Sequence, residues 1–298
     1  MFWENIKEAI TSISSNKMRS LLTMLGIIIG ISSVIIITTI GGSIQSTLTA
    51  TMNSLGGNMV QAYVEARYPE NDEDWATWEQ PDMTDSDYVT QDMIDGLIEK
   101  YPDEVTGVAA QNYLGSGTIK DDADSKNYAN VNIDGITPEY LEYMKLEMHA
   151  GRNLTKADNQ GKKRVCLIAD TMAERYFAGK DPIGETLSVA TSDGGIFDFV
   201  VVGVYVYNQA LFGKVDTSIP EKDRVTELMI PLQTCFKLQG TDRTGYDYFN
   251  LMIDPLADVN QATTDVLSYF DEMYANNKNF HVSAYNMASD LGMINTVL

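Results

Sequence analysis

The sequence predicts an α+β chain with one N-terminal transmembrane helix and its stalk, then a split α/β subdomain carrying an inserted β-rich subdomain. Three observations point there. Residues 20–64 are 45 consecutive positions without a formal charge in a chain of 298. Two strand–helix–strand patterns stand about 130 residues apart, near the two ends of the segment beyond that uncharged run. Between them the pattern is mixed, with β-branched and aromatic runs predominating.

Composition narrows the function before any motif does. The chain has 42 Asp+Glu against 21 Lys+Arg, a net charge of −21. Nucleic-acid binding needs a basic stripe that displaces counterions, so no nucleic-acid partner is expected. Cys166 and Cys235 are too few for a disulfide framework, and His149 and His281 leave little for histidine-based catalysis.

At the N-terminus, Trp3, Ile6, Ile10 and Ile13 recur at helical spacing, with Lys7, Glu8, Ser12 and Asn16 elsewhere on the wheel. Residues 1–19 therefore read as a cytoplasmic amphipathic segment lying in the membrane interface, or as a plain extension. Leu21 to Ile40 contains twelve Leu, Ile or Val. As a helix these twenty residues rise about 30 Å, the thickness of a bilayer core. Their transfer contributes about −4 to −7 kcal/mol, with no buried charge opposing it. A cleaved signal peptide would have an apolar region of about 7–15 residues and a small-residue cleavage site. This run is longer, and Thr39-Ile40-Gly41 is a poor site, so residues 20–42 are assigned as a transmembrane helix. A buried core helix would show a polar face, and this stretch has none.

Three of the basic residues, Lys7, Lys17 and Arg19, precede the span, and the remainder carries 18 basic and 40 acidic residues. Positive charge marks the cytoplasmic side, which puts the N-terminus inside the cell membrane and the main domain outside. Gly26 and Gly30 form a GxxxG where another helix could approach closely. Glycine is also common in membrane helices, so both readings stand. Residues 43–57 are polar but uncharged and read as a stalk ending near Leu55-Gly56-Gly57-Asn58.

Met59 to Val64 reads as a strand, and Arg67 to Asp87, rich in acids and proline, as an exposed excursion. Thr90 to Lys100 reads as a helix and Val105 to Gln111 as a strand. Tyr248–Ile253, Asp258–Tyr274 and Phe280–Tyr285 repeat strand, helix and strand. One α/β subdomain over 58–117 and 244–290 would enclose an insertion over 118–243. Within the insertion Val131–Gly135, Arg164–Ile168 and Phe197–Tyr207 read as strands, and Pro138–Leu146 and Thr171–Phe177 as helices. Gly115-Ser116-Gly117, lacking a third glycine before a helix, reads as a turn.

Several stretches together resemble the MacB-like, FtsX-related permeases of ABC transporters. Asn16-Lys17-Met18-Arg19-Ser20-Leu21-Leu22 through Gly26 to Gly30-Ile31 is similar to that family's entry into its first membrane helix, and Leu55-Gly56-Gly57-Asn58 to the end of its stalk. Ile133-Asp134-Gly135 before Pro138, His149-Ala150-Gly151-Arg152, Asp181-Pro182-Ile183-Gly184 and Val202-Gly203-Val204 come in the family's order, with Ile230-Pro231-Leu232 after them. Read from the residues alone, Gly135, Gly151 and Gly184 suit turns, Asp181-Pro182 opens one, and the run around Gly203 suits a buried strand.

The resemblance implies a permease acting with a cytoplasmic ABC ATPase subunit, as a dimer with a second permease copy, and with a membrane-fusion or accessory protein as a further possible partner. It implies no cofactor in this chain, ATP being bound by the ATPase subunit. It implies a porter-like α/β subdomain with a β-rich insertion outside, and export of peptide, antibiotic or lipid-linked cargo. Residues 291–298 would then begin a second membrane helix, making this a partial permease. An FtsX-type regulator of an external cell-wall hydrolase, or a singly anchored external binding protein, are the alternatives.

No reacting set is expected. The chain has no GxxxxGK[ST], GxSxG, HExxH or CxxC. Asp72-Glu73-Asp74 and Asp121-Asp122-Ala123-Asp124 lack the alternating ligands and closing Glu of a calcium loop, and read as solvated. Asp170 and Glu174 are an acid pair without a pocket to place them in. Cys166 and Cys235 read as buried thiols, though a bridge between them is open outside the cell. Trp75 and Trp78 suit either a partner surface or local packing.

Overall fold

The computed structural model describes residues 2–286 except 16, 55–58, 70, 72–74, 76, 122–125, 193, 213–217 and 242. The chain falls into two units, the first ending at Ser54. In that unit Phe2–Ser15 and Lys17–Ser54 are helices. The second has 38 residues, about 57 Å at helical rise. Its stretch Lys17–Ser43 has a mean hydropathy of 2.5 and is long and apolar enough to cross a membrane. Every residue from Leu21 to Ile40 is exposed. The span and the polar stretch after it form one unbroken helix to Ser54. The expected stalk end at 55–58 and the second helix expected over 291–298 lie outside the described residues.

The second unit holds two sheets. Strands β1 (Met59–Ala66), β2 (Val105–Ala109), β10 (Tyr248–Ile253) and β11 (Phe280–Asn286) pair antiparallel in the order β11-β1-β10-β2. The sheet is thus built from both ends of the segment. Helices Gln91–Lys100 and Val259–Met273 supply its apolar cover. Each starts where a side chain satisfies an orphan backbone donor: Thr90 accepts from Met93 N–H, and Asp258 from Asn260 and Gln261. The core joins Ile94 and Leu97 to Val266 and Phe270 against Val60, Ala62, Phe249 and Leu251.

The larger sheet contains β3 (Gln111–Lys120), β4 (Tyr128–Ile136), β5 (Met148–Gly151), β6 (Val165–Ala169), β7 (Thr186–Thr191), β8 (Ile196–Tyr205) and β9 (Val225–Pro231). Their order is β5-β8-β6-β9-β4-β3-β7, and β7 also pairs with β8. The ladder therefore runs full circle and leaves β5 as an outer strand. Inside it pack Ile119, Val131, Ile133, Leu167, Val189, Phe199 and Leu228.

Four expectations need correction. Gly115-Ser116-Gly117 is not a turn but the middle of β3, with a register shift between Tyr113 and Gly115. A Cβ on Gly117 would come within 2.6 Å of Val189 and 2.9 Å of the Ala190 carbonyl, so glycine serves a close strand approach there. The expected division after residue 117 cuts this strand, which pairs wholly within the larger sheet. The Pro138–Leu146 helix shrinks to Tyr140–Tyr143. The excursion after Arg67 is not wholly exposed, for Asp87 is buried where it accepts from Thr84 and Asn277.

Candidate functional site

Gly26 and Gly30 lie on the exposed apolar helix, and a Cβ added at either would meet nothing within 4 Å. The face they make is open. Gly56 and Asn58 lie outside the described residues.

The structure brings most of the remaining motif residues into one cluster at the edge of the larger sheet. Gly151 in β5 stands opposite Gly203 in β8. Gly151 has φ of +73°, and a side chain there would crowd the Val202 carbonyl and Ile183. A Cβ on Gly203 would collide with the Arg152 carbonyl and lie 2.9 Å from Leu167. The Asp181-Pro182 turn feeds the same place. Asp181 accepts from Ile183 N–H at 2.9 Å, Gly184 turns at φ +90°, and its N–H donates to the Val201 carbonyl at 2.8 Å.

Arg152 extends the cluster to a buried carboxylate that no sequence motif announced. Asp158 is 1% exposed and accepts from Arg152 Nη1 at 2.6 Å, Lys163 Nζ at 3.0 Å and the Thr155 hydroxyl at 2.7 Å. Burial pushes its pKa up, but these donors outweigh burial and hold it well below the usual carboxylate range. Thr155-Lys156-Ala157-Asp158 is a capping box opening the helix Lys156–Gln160, and that spacing was the available signal.

Gly135 sits apart, in β4. A Cβ there would collide with Cys235, so this glycine lets the helix Leu232–Leu238 lie on the strand. Leu232 and Phe236 of the helix join the core of the four-stranded sheet, while Cys235 joins that of the larger one. Cys166 and Cys235 are both free and buried, and burial pushes both thiols up in pKa.

Asp170 accepts from Thr171 N–H at 2.7 Å and Tyr207 N–H at 3.0 Å, while Glu174 is exposed. His149 is exposed, and His281 lies 3.2 Å from Glu65. Tyr68, Trp75 and Trp78 pack on one another with ring centroids 5.3–5.7 Å apart, and Trp78 also covers the core of the four-stranded sheet. Among the described residues no group of three or more His, Cys, Asp or Glu could hold a metal ion.

The cluster thus consists of glycines at a turn and a strand crossing, with a buried carboxylate held by Arg152 and Lys163 beside them. Residues 20–269 match the model of the MacB-like periplasmic core domain, and the chain belongs to that family of ABC transporter permease domains. It is 31% identical over 186 residues to the uncharacterized ABC transporter permease YknZ of Bacillus subtilis, covering 62% of this chain and 43% of that protein. It is 25% identical to the macrolide export ATP-binding/permease protein MacB of Neisseria gonorrhoeae, covering 72% of this chain and 30% of MacB. The chain thus spans less than half the length of these relatives. Its fold resembles the periplasmic region of MacB from Actinobacillus actinomycetemcomitans at 17% identity, with a TM-score of 0.52 over 82% of this chain and 95% of that one.

Proposed function

We propose that this chain forms the first membrane helix and extracytoplasmic domain of a permease subunit in a MacB-like ABC exporter. A separate cytoplasmic ATPase binds and hydrolyses ATP, and the helix beyond the bilayer carries the resulting movement to the outer domain. The cargo class is peptide, antibiotic or lipid-linked molecules. A second permease copy packs through the Gly26–Gly30 face, and an accessory or membrane-fusion protein meets the outer domain. We read the four-stranded sheet as the porter-like subdomain and the larger sheet as its β-rich insertion, joined between β2 and β3.

The observation that carries the proposal is the unbroken helix Lys17–Ser54, which passes from apolar span to polar stalk without a kink-forming proline. A rod of this kind transmits displacement, where a flexible linker would absorb it. Lys7, Lys17 and Arg19 before the span favour an inside N-terminus.

The test is affinity purification of the chain from native membranes after mild crosslinking. A P-loop ATPase retained with the chain is the expected result. Retention of a cell-wall hydrolase with no ATPase would overturn the exporter reading in favour of an FtsX-type regulator.

A further inference from the structure

Between the helix Asp170–Phe177 and the start of β9 the larger sheet leaves a cavity of about 300 Å³. Its wall is chiefly apolar, with Met172 fully buried and the Tyr207 and Phe212 rings packed 5.4 Å apart. At its mouth Ile219 and Val225 remain 41% and 49% exposed. The volume stands at the lower end of small-molecule sites, about 300–1,000 Å³. It equals about ten water-sized units at ~30 Å³ each, which suits one alkyl chain or ring system rather than a folded peptide.

Charged groups reach the cavity, but their interactions are already made. Arg175 Nη1 donates to the Tyr128 carbonyl at 2.7 Å and the Lys222 carbonyl at 3.3 Å. Arg224 Nε donates to the Ile219 carbonyl at 3.2 Å, and the Tyr128 hydroxyl donates to Asp223. Glu221 faces the Arg175 charge. Two guanidinium groups and two carboxylates leave no net charge to select a charged body.

Thr226 differs. It lines the cavity, is 8% exposed, and its hydroxyl has no hydrogen-bond partner among the described residues. A buried hydroxyl left unpaired costs about 1–3 kcal/mol. The oxygen itself exposes under 1 Å², so a bound group supplies the missing partner by drawing the side chain round about χ1 toward the cavity, recovering that cost while burying its own apolar surface.

We propose that this cavity binds a small amphiphile: an alkyl or aryl group carrying one hydrogen-bonding oxygen, with the apolar part against Met172 and Phe212 and the oxygen on the Thr226 hydroxyl. The site stands on this domain's geometry alone and does not depend on the exporter reading.

The experiment uses the full chain in lipid nanodiscs and follows para-trifluoromethylbenzyl alcohol by fluorine NMR, with empty nanodiscs as the partitioning baseline. The expected result is saturable binding above that baseline, weakened about three- to tenfold by Thr226→Val and abolished by Val225→Trp at the mouth. Should Val225→Trp fail to fold, Thr226→Val carries the test, since it removes a hydroxyl and keeps the shape. Binding no greater than in empty discs, or saturable binding that neither variant changes, would overturn the proposal. Either result leaves the ATPase co-purification unaffected.

Discussion

At the residue scale the motif is a packing constraint. Gly203 has no room for even a methyl group, with the Arg152 carbonyl and Leu167 closing on it. Gly203→Ala should lower unfolding stability by about 1–3 kcal/mol, read by chemical denaturation; an unchanged midpoint would show that β5 is free to move aside. Asp158 tests the electrostatics of the same cluster. Asp158→Asn keeps the volume but leaves Arg152 and Lys163 facing a neutral amide, and should cost about 2 kcal/mol at neutral pH. The folded pKa of Asp158 is depressed, so its contribution is fully present above the unfolded value of about 3.9 and is lost as pH falls through the folded one. The gap between wild type and variant should therefore be flat above about pH 4 and shrink below it. A gap that widened in acid would contradict the assignment. Gly184 was legible as a turn residue because glycine at positive φ has a local cause; Gly135 and Gly151, read from the residues as turns, lie instead in β4 and β5, where close neighbours leave no room for a side chain. The Arg152–Asp158 pair was not legible, because the two residues stand six apart across the turn into the helix Lys156–Gln160, a spacing with no regular period to mark it.

At the element scale, legibility followed periodicity. The helix Val259–Met273 and strand β10 carried clear patterns and lie where those patterns put them. Strands β5, β7 and β9 were not legible as such. β5 has only four residues, and β7 alternates across Ser188 and Ala190, which carry weak β signals. β9 leads straight into the helix Leu232–Leu238 through Pro231, which places Cys235 in a helix. That helix reaches both cores, which buries Cys235 beside Gly135 and Asn112. An aromatic disulfide reagent should therefore find neither Cys166 nor Cys235 in the folded chain, and both after denaturation. Rapid labelling of Cys235 in native protein would mean this helix lifts off the strand. For the long apolar helix, Gly26→Ile with Gly30→Ile should weaken self-association in a membrane dimerisation assay. An unchanged signal would remove the glycine face as the contact.

At the scale of the whole molecule, the proposal divides the chain between two solvents. The 45-residue uncharged run marked that region in the sequence; the structure gives its first part, to Ser54, as one helix whose residues from Leu21 to Ile40 are all exposed. The closure of the larger sheet was not legible, because the pairing of β7 with β8 and β3 joins residues far apart in sequence. The topology proposed from the charges flanking the span can be read directly. Leu256 is 97% exposed on the second unit, and Glu8 is exposed on the first helix. Single cysteines at these two positions, in a background where the native thiols are buried, can be labelled in intact cells with a membrane-impermeant maleimide. Leu256→Cys should label at once and Glu8→Cys only after the membrane is opened. Protection of Leu256→Cys in intact cells, or release of the chain from membranes by alkaline carbonate, would contradict a membrane-spanning helix with its domain outside.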